Sequence, residues 1–264
     1  MHTVLSVNVN KIAWLRNARN GNEPNVGAAS TKIIKAGAAG ITVHPRPDQR
    51  HIRPEDVYEL SSIAKSFDVE YNIEGNPTTE PQANGFPGFM KLVQDTRPTQ
   101  CTLVPDESSQ LTSDHGWNLR DSKQMETVSH VVNELHELGC RASIFVDADP
   151  EIVSLAHQTQ TDRIELFTGP WATTVASFGI GSSDATQWLA KYSEAADTAH
   201  ELGLGVNAGH DLNLQNVSEF CRAVRVAEVS IGHALIADAL DHGLEPVVQK
   251  YLDAIFRGCE LRDR

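Results

Sequence analysis

Cysteine is sparse in this chain. Cys101, Cys140, Cys221 and Cys259 are its only four, and no two of them form a Cys-x-x-Cys pair. Thiols so far apart argue against a zinc ribbon or a disulfide framework and are expected to stay reduced. Positive charge is short as well: 22 Lys and Arg face 35 Asp and Glu, a formal charge of −13. A basic surface for nucleic acid or anionic lipid is therefore missing, and neither is an expected partner. No 18-residue apolar run could cross a bilayer. The segment MHTVLSVNVNKIAW lacks the basic stretch and apolar core of a secretory leader, so a cytoplasmic location is expected. Nor does a glycine fingerprint follow the first apolar run, which weighs against a doubly wound dinucleotide-binding sheet.

What the chain does contain is a rhythm. Short β-branched runs recur at Val4–Val9, Gly40–His44, Val69–Glu74, Cys101–Pro105, Ala142–Asp147, Arg163–Thr168, Leu204–Asn207 and Glu228–Ile231, each followed by helix-like sequence. Near-continuous apolar strands of this kind predict a parallel sheet covered on both faces. Between them, Glu55–Phe67 and Met125–Leu138 repeat apolar residues at three- and four-residue spacing. KAGAAGITV, ELGCRASIFV and ELGLGVNAG are one helix-glycine-strand unit used three times, with Gly37, Gly139 and Gly203 as helix C-caps. Eight such βα units over residues 1–264 predict a single-domain α/β fold, a TIM (β/α)8 barrel with a few extra helices.

Polar residues gather where these strands end. In order they are Asn8 and Asn10, His44, Glu74, Asp106, Asp147, Glu165, His210 and the Gly232-His233 pair. In a TIM barrel these ends form the active-site face. A turn explains one Asp or Asn, but not two Glu and three His together. His44, Glu74, Glu165 and His210 are the candidate acid–base groups, because a carboxylate desolvated in a barrel mouth rises toward neutrality, where histidine already titrates.

Two stretches point to phosphate. SIGHAL sets Gly232 and His233 before a helix starting near Ala234, where free N–H groups favour an anion, and Gly209 of NAGH could add to that site. ITVHPRPDQRHIRPED gathers scarce cations: Arg46 and His51 suit a second phosphate, with Arg19 of RNARNG a further cation. Arg50 and Arg53, flanking a helix start at Pro54, are expected to face solvent. Asp106–Arg120 and Gly169–Ser183 are long enough to be mobile lids. His130, His136, His157, His200 and His242 are expected on helices, as surface or packing residues.

The blocks VNVNKIAWLRNAR, GITVHPRPDQRHI, YNIEGN, LVPDESSQLTSDHGW, SIFVDADP, RIELFTG, GLGVNAGHDL and SIGHALI follow the order and spacing of a known family. The chain resembles the pyridoxine 5′-phosphate synthases of deoxyxylulose-dependent vitamin B6 formation over almost its whole length. The resemblance implies a barrel that needs no metal or organic cofactor and assembles as a homo-octamer. It implies small phosphorylated substrates, 1-deoxy-D-xylulose 5-phosphate and 3-amino-2-oxopropyl phosphate. His44 and Glu74 match the family's proton acceptors, His210 its proton donor and Glu165 a carboxylate that assists the transition state. Asn8, Arg19, Gly232 and His233 match contacts to the aminoketone phosphate; Arg46, His51 and Thr112 match contacts to the deoxyxylulose phosphate.

The chain departs from the commoner pattern at three positions. It has Asn10-Lys11 where many members have Asp-His, and Asp211 where they have Gly. Asn10 and Lys11 are expected as substrate contacts, with Asp211 beside them. Lys11 keeps a cation but loses the near-neutral titration of histidine. Two other readings compete. Glu74, Glu165 and His210 could ligate a divalent metal in a sugar isomerase or hydrolase, or the chain could bind phosphosugars without catalysis.

Overall fold

The computed structural model describes residues 3–19, 21–107 and 109–263. Eight strands close a parallel barrel in chain order. They are β1 (Val4–Asn8), β2 (Gly40–Val43), β3 (Glu70–Gly75), β4 (Gln100–Leu103), β5 (Arg141–Val146), β6 (Arg163–Phe167), β7 (Gly205–Gly209) and β8 (Glu228–Ile231). Around them run α1 (Asn10–Asn17), α2 (Val26–Lys35), α3 (Pro54–Phe67), α4 (Phe89–Thr96), α5 (Ser122–Glu137) and α6 (Pro150–Gln158). The ring continues through α7 (Gly169–Phe178), α8 (Ser183–Glu201), α9 (Val217–Ala223), α10 (His233–His242) and α11 (Leu244–Arg262). The predicted (β/α)8 barrel is therefore present, with three helices beyond one per strand.

The helix-glycine-strand units form as expected. Gly37, Gly139 and Gly203 have φ of +104°, +74° and +79°, the left-handed region that ends a helix at little cost to glycine. Asp121, Asp149 and Ser182 accept backbone N–H groups as N-caps of α5, α6 and α8.

The strands are not apolar on both faces, contrary to expectation. Their outward residues, such as Leu5, Val7, Ile41, Val43, Tyr71 and Ile73, pack against the helices in one large core. Their inward residues are polar. Ser6 and Thr42 share a hydrogen bond of 2.8 Å, and Thr102 donates to Asn72 at 3.1 Å. Lower down, Arg141 pairs with Glu70 and donates to Gln100 at 3.0 Å, while Arg163 donates to Asn207 at 3.0 Å. The reason is the period of two: alternate residues face a narrow lumen, and these partners lie on neighbouring strands rather than nearby in sequence. Burying a charged interior is expensive unless it is paired, so such a lumen is kept for something other than stability.

A second expectation fails. Gly169–Ser183 is not a loop, because residues 169–178 form α7. Pro170 stands in its first turn, and Trp171, fully buried, packs against Phe220 at a ring separation of 5.4 Å. Burial of the indole outweighs the weak helix propensity of its Gly and Thr residues. The segment from Val104 to Asp121 does lack regular secondary structure, Ser108 lying outside the described residues.

Candidate active site

At the carboxyl ends of the strands lies a cavity of about 280 Å³. Its walls include Asn8, Asn10, Lys11, His44, Arg46, His51, Glu74, Thr112, Glu165, His210, Asp211, Gly232 and His233. Every candidate site residue is thus brought together except Arg19, which is exposed and off the wall. The cation of RNARNG that reaches inward is Arg16. Buried, it pairs with Asp56 at 2.8 Å and donates to the His51 carbonyl at 3.2 Å, so it fixes the loop that carries His51. Gly209 does not line the cavity either. A Cβ there would lie 2.3 Å from Glu165 Oε1, so its role is to leave room for that carboxylate.

The end of β1 stitches three strands together. Asn10 Oδ1 accepts the His44 backbone N–H at 3.0 Å, Asn8 Oδ1 accepts that of Asn10 at 3.0 Å, and Asn8 Nδ2 donates to Glu74 Oε2 at 3.3 Å. The side-chain oxygen of Asn10 is therefore committed to the frame of the site. His44 Nδ1 lies 4.0 Å from Glu74 Oε2, and its Nε2 lies 3.8 Å from Asp106 Oδ2.

Burial governs the charge states. Desolvation, then the charges of Glu165 and Asp106, hold Glu74 well above the usual carboxylate range. Glu165 is pushed up to about 7, by desolvation first and Glu70 second. His44 is driven well below its ordinary value by desolvation, then by Arg46, His51 and His210. His210 is lowered mainly by desolvation, against the raising effect of Asp211 and Asp106. Neutral imidazoles facing protonatable carboxylates can exchange protons without moving through bulk water.

His210 and Asp211 have φ of +89° and +58°. Asp tolerates that region, whereas His at +89° is strained and must be held there. Thr168 Oγ1 holds it, donating to the Gly209 carbonyl at 2.7 Å and to that of His210. Thr112 Oγ1 meets His210 Nε2 at 2.9 Å, and the Phe167 ring packs edge-on at 5.3 Å.

The cations form the other half. His51 Nδ1 accepts the Ile52 N–H at 2.9 Å, which leaves the ring proton on Nε2. Desolvation, then Arg46, Lys11 and Arg50, push its pKa down to about 3, so it acts as a neutral donor. Lys11 and Arg46 are themselves lowered, first by desolvation; Arg50 adds to this in both, and Arg46 also acts on Lys11. Cations that repel one another in a partly dry wall favour a bound anion, whose charge relieves them. At the opposite end of the chain, α10 starts at His233 with no side-chain cap, and Gly232 approaches so close that a Cβ would lie 3.0 Å from Asn8 Cβ. Uncapped N–H groups at a helix start of this kind suit an anion.

Arg50 does not simply face water, as expected of it. It is half-buried and donates to the carbonyls of Gln110 at 3.0 Å and Leu111 at 3.3 Å. One set of residues was not singled out from sequence. Val104, Phe145 and Phe167 form a separate apolar cluster at the mouth, legible in principle because Phe145 and Phe167 stand two residues after inward Ser143 and Glu165. Asp106, named among the polar residues at the strand ends, stands behind this wall as the partner of Arg46. Asp147, just past β5, is exposed and off the wall. Among the described residues no group of three or more His, Cys, Asp or Glu is gathered closely enough to hold a metal ion. Among the described residues, no helix is long and apolar enough to cross a membrane.

Known proteins are similar to this chain along almost its whole length. The family described as pyridoxal phosphate biosynthesis protein PdxJ matches residues 5–257. The pyridoxine 5′-phosphate synthase of Xanthomonas campestris pv. campestris (strain B100) is 51% identical over 261 residues, covering 98% of each chain. That of Xanthomonas oryzae pv. oryzae (strain PXO99A) is 50% identical over 263 residues, covering 99% of each. In fold alone, the chain is similar to 3-keto-L-gulonate-6-phosphate decarboxylase from Vibrio cholerae, at a TM-score of 0.61 and 10% identity, covering 97% of this chain and 99% of that one. Full-length agreement at this level joins a barrel whose mouth gathers cationic side chains, an uncapped helix start and buried titratable groups: the chain belongs to the PdxJ family of pyridoxine 5′-phosphate synthases.

Proposed function

We propose that the chain condenses 1-deoxy-D-xylulose 5-phosphate with 3-amino-2-oxopropyl phosphate to pyridoxine 5′-phosphate, inorganic phosphate and water. The observation that supports the reading is one cavity lined by Lys11 and Arg46, by the uncapped start of α10, and by the titratable side chains His44, Glu74, Glu165 and His210 from β2, β3, β6 and β7. Two phosphorylated substrates need two anion sites. Joining amine to ketone, expelling phosphate and closing a ring need base and acid in turn.

Lys11, Arg46 and the Nε2–H of His51 hold the ketose phosphate, and the α10 N-terminus with Gly232 and His233 holds the aminoketone phosphate. Burial favours the neutral form of Glu74 in the empty site. The ammonium group of the aminoketone brings the countercharge that ionises it, so substrate arrival arms the base. Glu165, near 7, takes or returns a proton at neutral pH. His210 donates to the departing oxygen from a ring fixed by Thr112 and Thr168. The segment 104–121 closes over the mouth, latched by Arg46 and Arg50 to the Gln110 carbonyl. The family's homo-octamer would cover exposed apolar residues of the outer helices such as Leu240 and Phe256, and light scattering at eight times the 28.9 kDa chain mass tests it. A cytoplasmic location accords with this metabolic role.

The test is product formation, followed by pyridoxine 5′-phosphate fluorescence, with both substrates and with each alone. Product only with both substrates, and undiminished by EDTA, is the expected result. Activity abolished by EDTA would favour the metal-dependent reading; tight ligand binding with no product would favour the phosphosugar-binding one.

A further inference from the structure

No part in the reaction has so far fallen to Asp106, yet it sits buried at the junction of the site's two halves. Its Oδ2 accepts from Ser113 Oγ at 2.7 Å and from Arg46 Nη2, and stands 3.8 Å from His44 Nε2. Asn76 Nδ2 fixes its carbonyl at 3.0 Å. Its Oδ1 is buried with no hydrogen-bond partner among the described residues. An orphaned carboxylate oxygen is costly. Anchoring the 104–121 segment would not require it, since a neutral side chain could accept from Ser113 as well. A full negative charge is warranted where positive charge is fixed, at Arg46, and where it develops.

His44 is where it develops. Its imidazole stands between two carboxylates, Glu74 on the Nδ1 side and Asp106 on the Nε2 side. We propose that Asp106 is a positioning residue of the reaction: it aims the Arg46 guanidinium at the ketose phosphate and offsets the imidazolium formed when His44 takes a proton from substrate. The proton moves to Nδ1 while its bonding pair stays with the substrate, and the Nε2–H faces Asp106. This rests on the reading of His44 and Glu74 as bases.

The signature is in the pH profile. His44 faces Glu74, Asp106, Arg46, Arg50, His51 and His210. The two arginines and two histidines oppose its protonation, while the two carboxylates favour it. Glu74 in turn faces His44, Glu165, Asp106, Arg46 and Asn8. Removing the charge of Asp106 therefore weakens both bases and moves the acidic limb of kcat/KM to lower pH. Asp106→Asn, which keeps the shape, is expected to move that limb down by about half a pH unit or more. It should also cut kcat at least about tenfold and raise KM for the ketose phosphate. Asp106→Glu should keep the limb in place, as should Ser113→Ala, which removes the anchor and spares the charge. Circular dichroism confirms folding, and Asp106→Ser replaces the amide variant if that does not fold. An acidic limb unmoved by loss of the charge, or moved equally by Ser113→Ala, overturns the proposal. Wild-type protein that forms no product overturns it together with the functional reading.

Discussion

At the scale of single residues, this site is built from groups whose proton affinities burial moves away from their values in water. Glu165 is the clearest case, 4% exposed with Oε2 unpartnered among the described residues. Its folded pKa of about 7 lies above the 4.5 of a free glutamate, so the folded chain binds this proton more tightly than the unfolded one. That contribution to stability is whole below about pH 4.5 and is lost as pH rises through 7. Glu165→Gln, permanently neutral, should therefore out-stabilise the wild type at pH 8 by on the order of 2–3 kcal/mol. At pH 4.5 the two should melt together. Denaturant unfolding at both pH values checks this, and a gap independent of pH would contradict it. The charge identities of the site were legible in sequence; their states were not, because they depend on burial and on Glu70, Asp106 and Arg46 from other strands.

Elements were legible to different degrees for a physical reason. The three glycine C-caps could be placed because a left-handed turn is a local requirement. Residues 169–178 were mistaken for a loop because their helix is enforced by tertiary burial of Trp171, not by propensity. Arg16 and Arg19 lie three apart in one short segment, and sequence offers nothing to say which turns inward. The polar lumen escaped notice because its pairs, Arg141 with Glu70 and Arg163 with Asn207, close only when the barrel does. Close helix packing is similarly hidden. Gly258 on α11 lies so near α9 that a Cβ would meet the Ser218 carbonyl at 2.3 Å and Cys221 Cβ at 2.9 Å. Gly258→Ala should force the helices apart and cost about 1–3 kcal/mol. A lowered melting temperature with kcat retained is expected; an unchanged one would show that α11 yields freely.

For the molecule as a whole, an acidic chain of net charge −13 sets Lys11 and Arg46 together at the mouth of one barrel, where anions of the substrate are wanted. The outer core of strands and helices supplies the stability. The lumen, paired but costly, supports the floor beneath Glu74 and Glu165. Binding is thus spread over many groups, whereas proton transfer is concentrated in few, and the two should separate experimentally. The most direct measurement is Glu74→Gln, assayed for pyridoxine 5′-phosphate formation and, by calorimetry, for binding of each substrate. Turnover lowered by about a thousandfold or more, with both substrates still bound within about tenfold of wild-type affinity, is the predicted result. Full turnover in that variant would remove Glu74 from the chemistry and contradict the account.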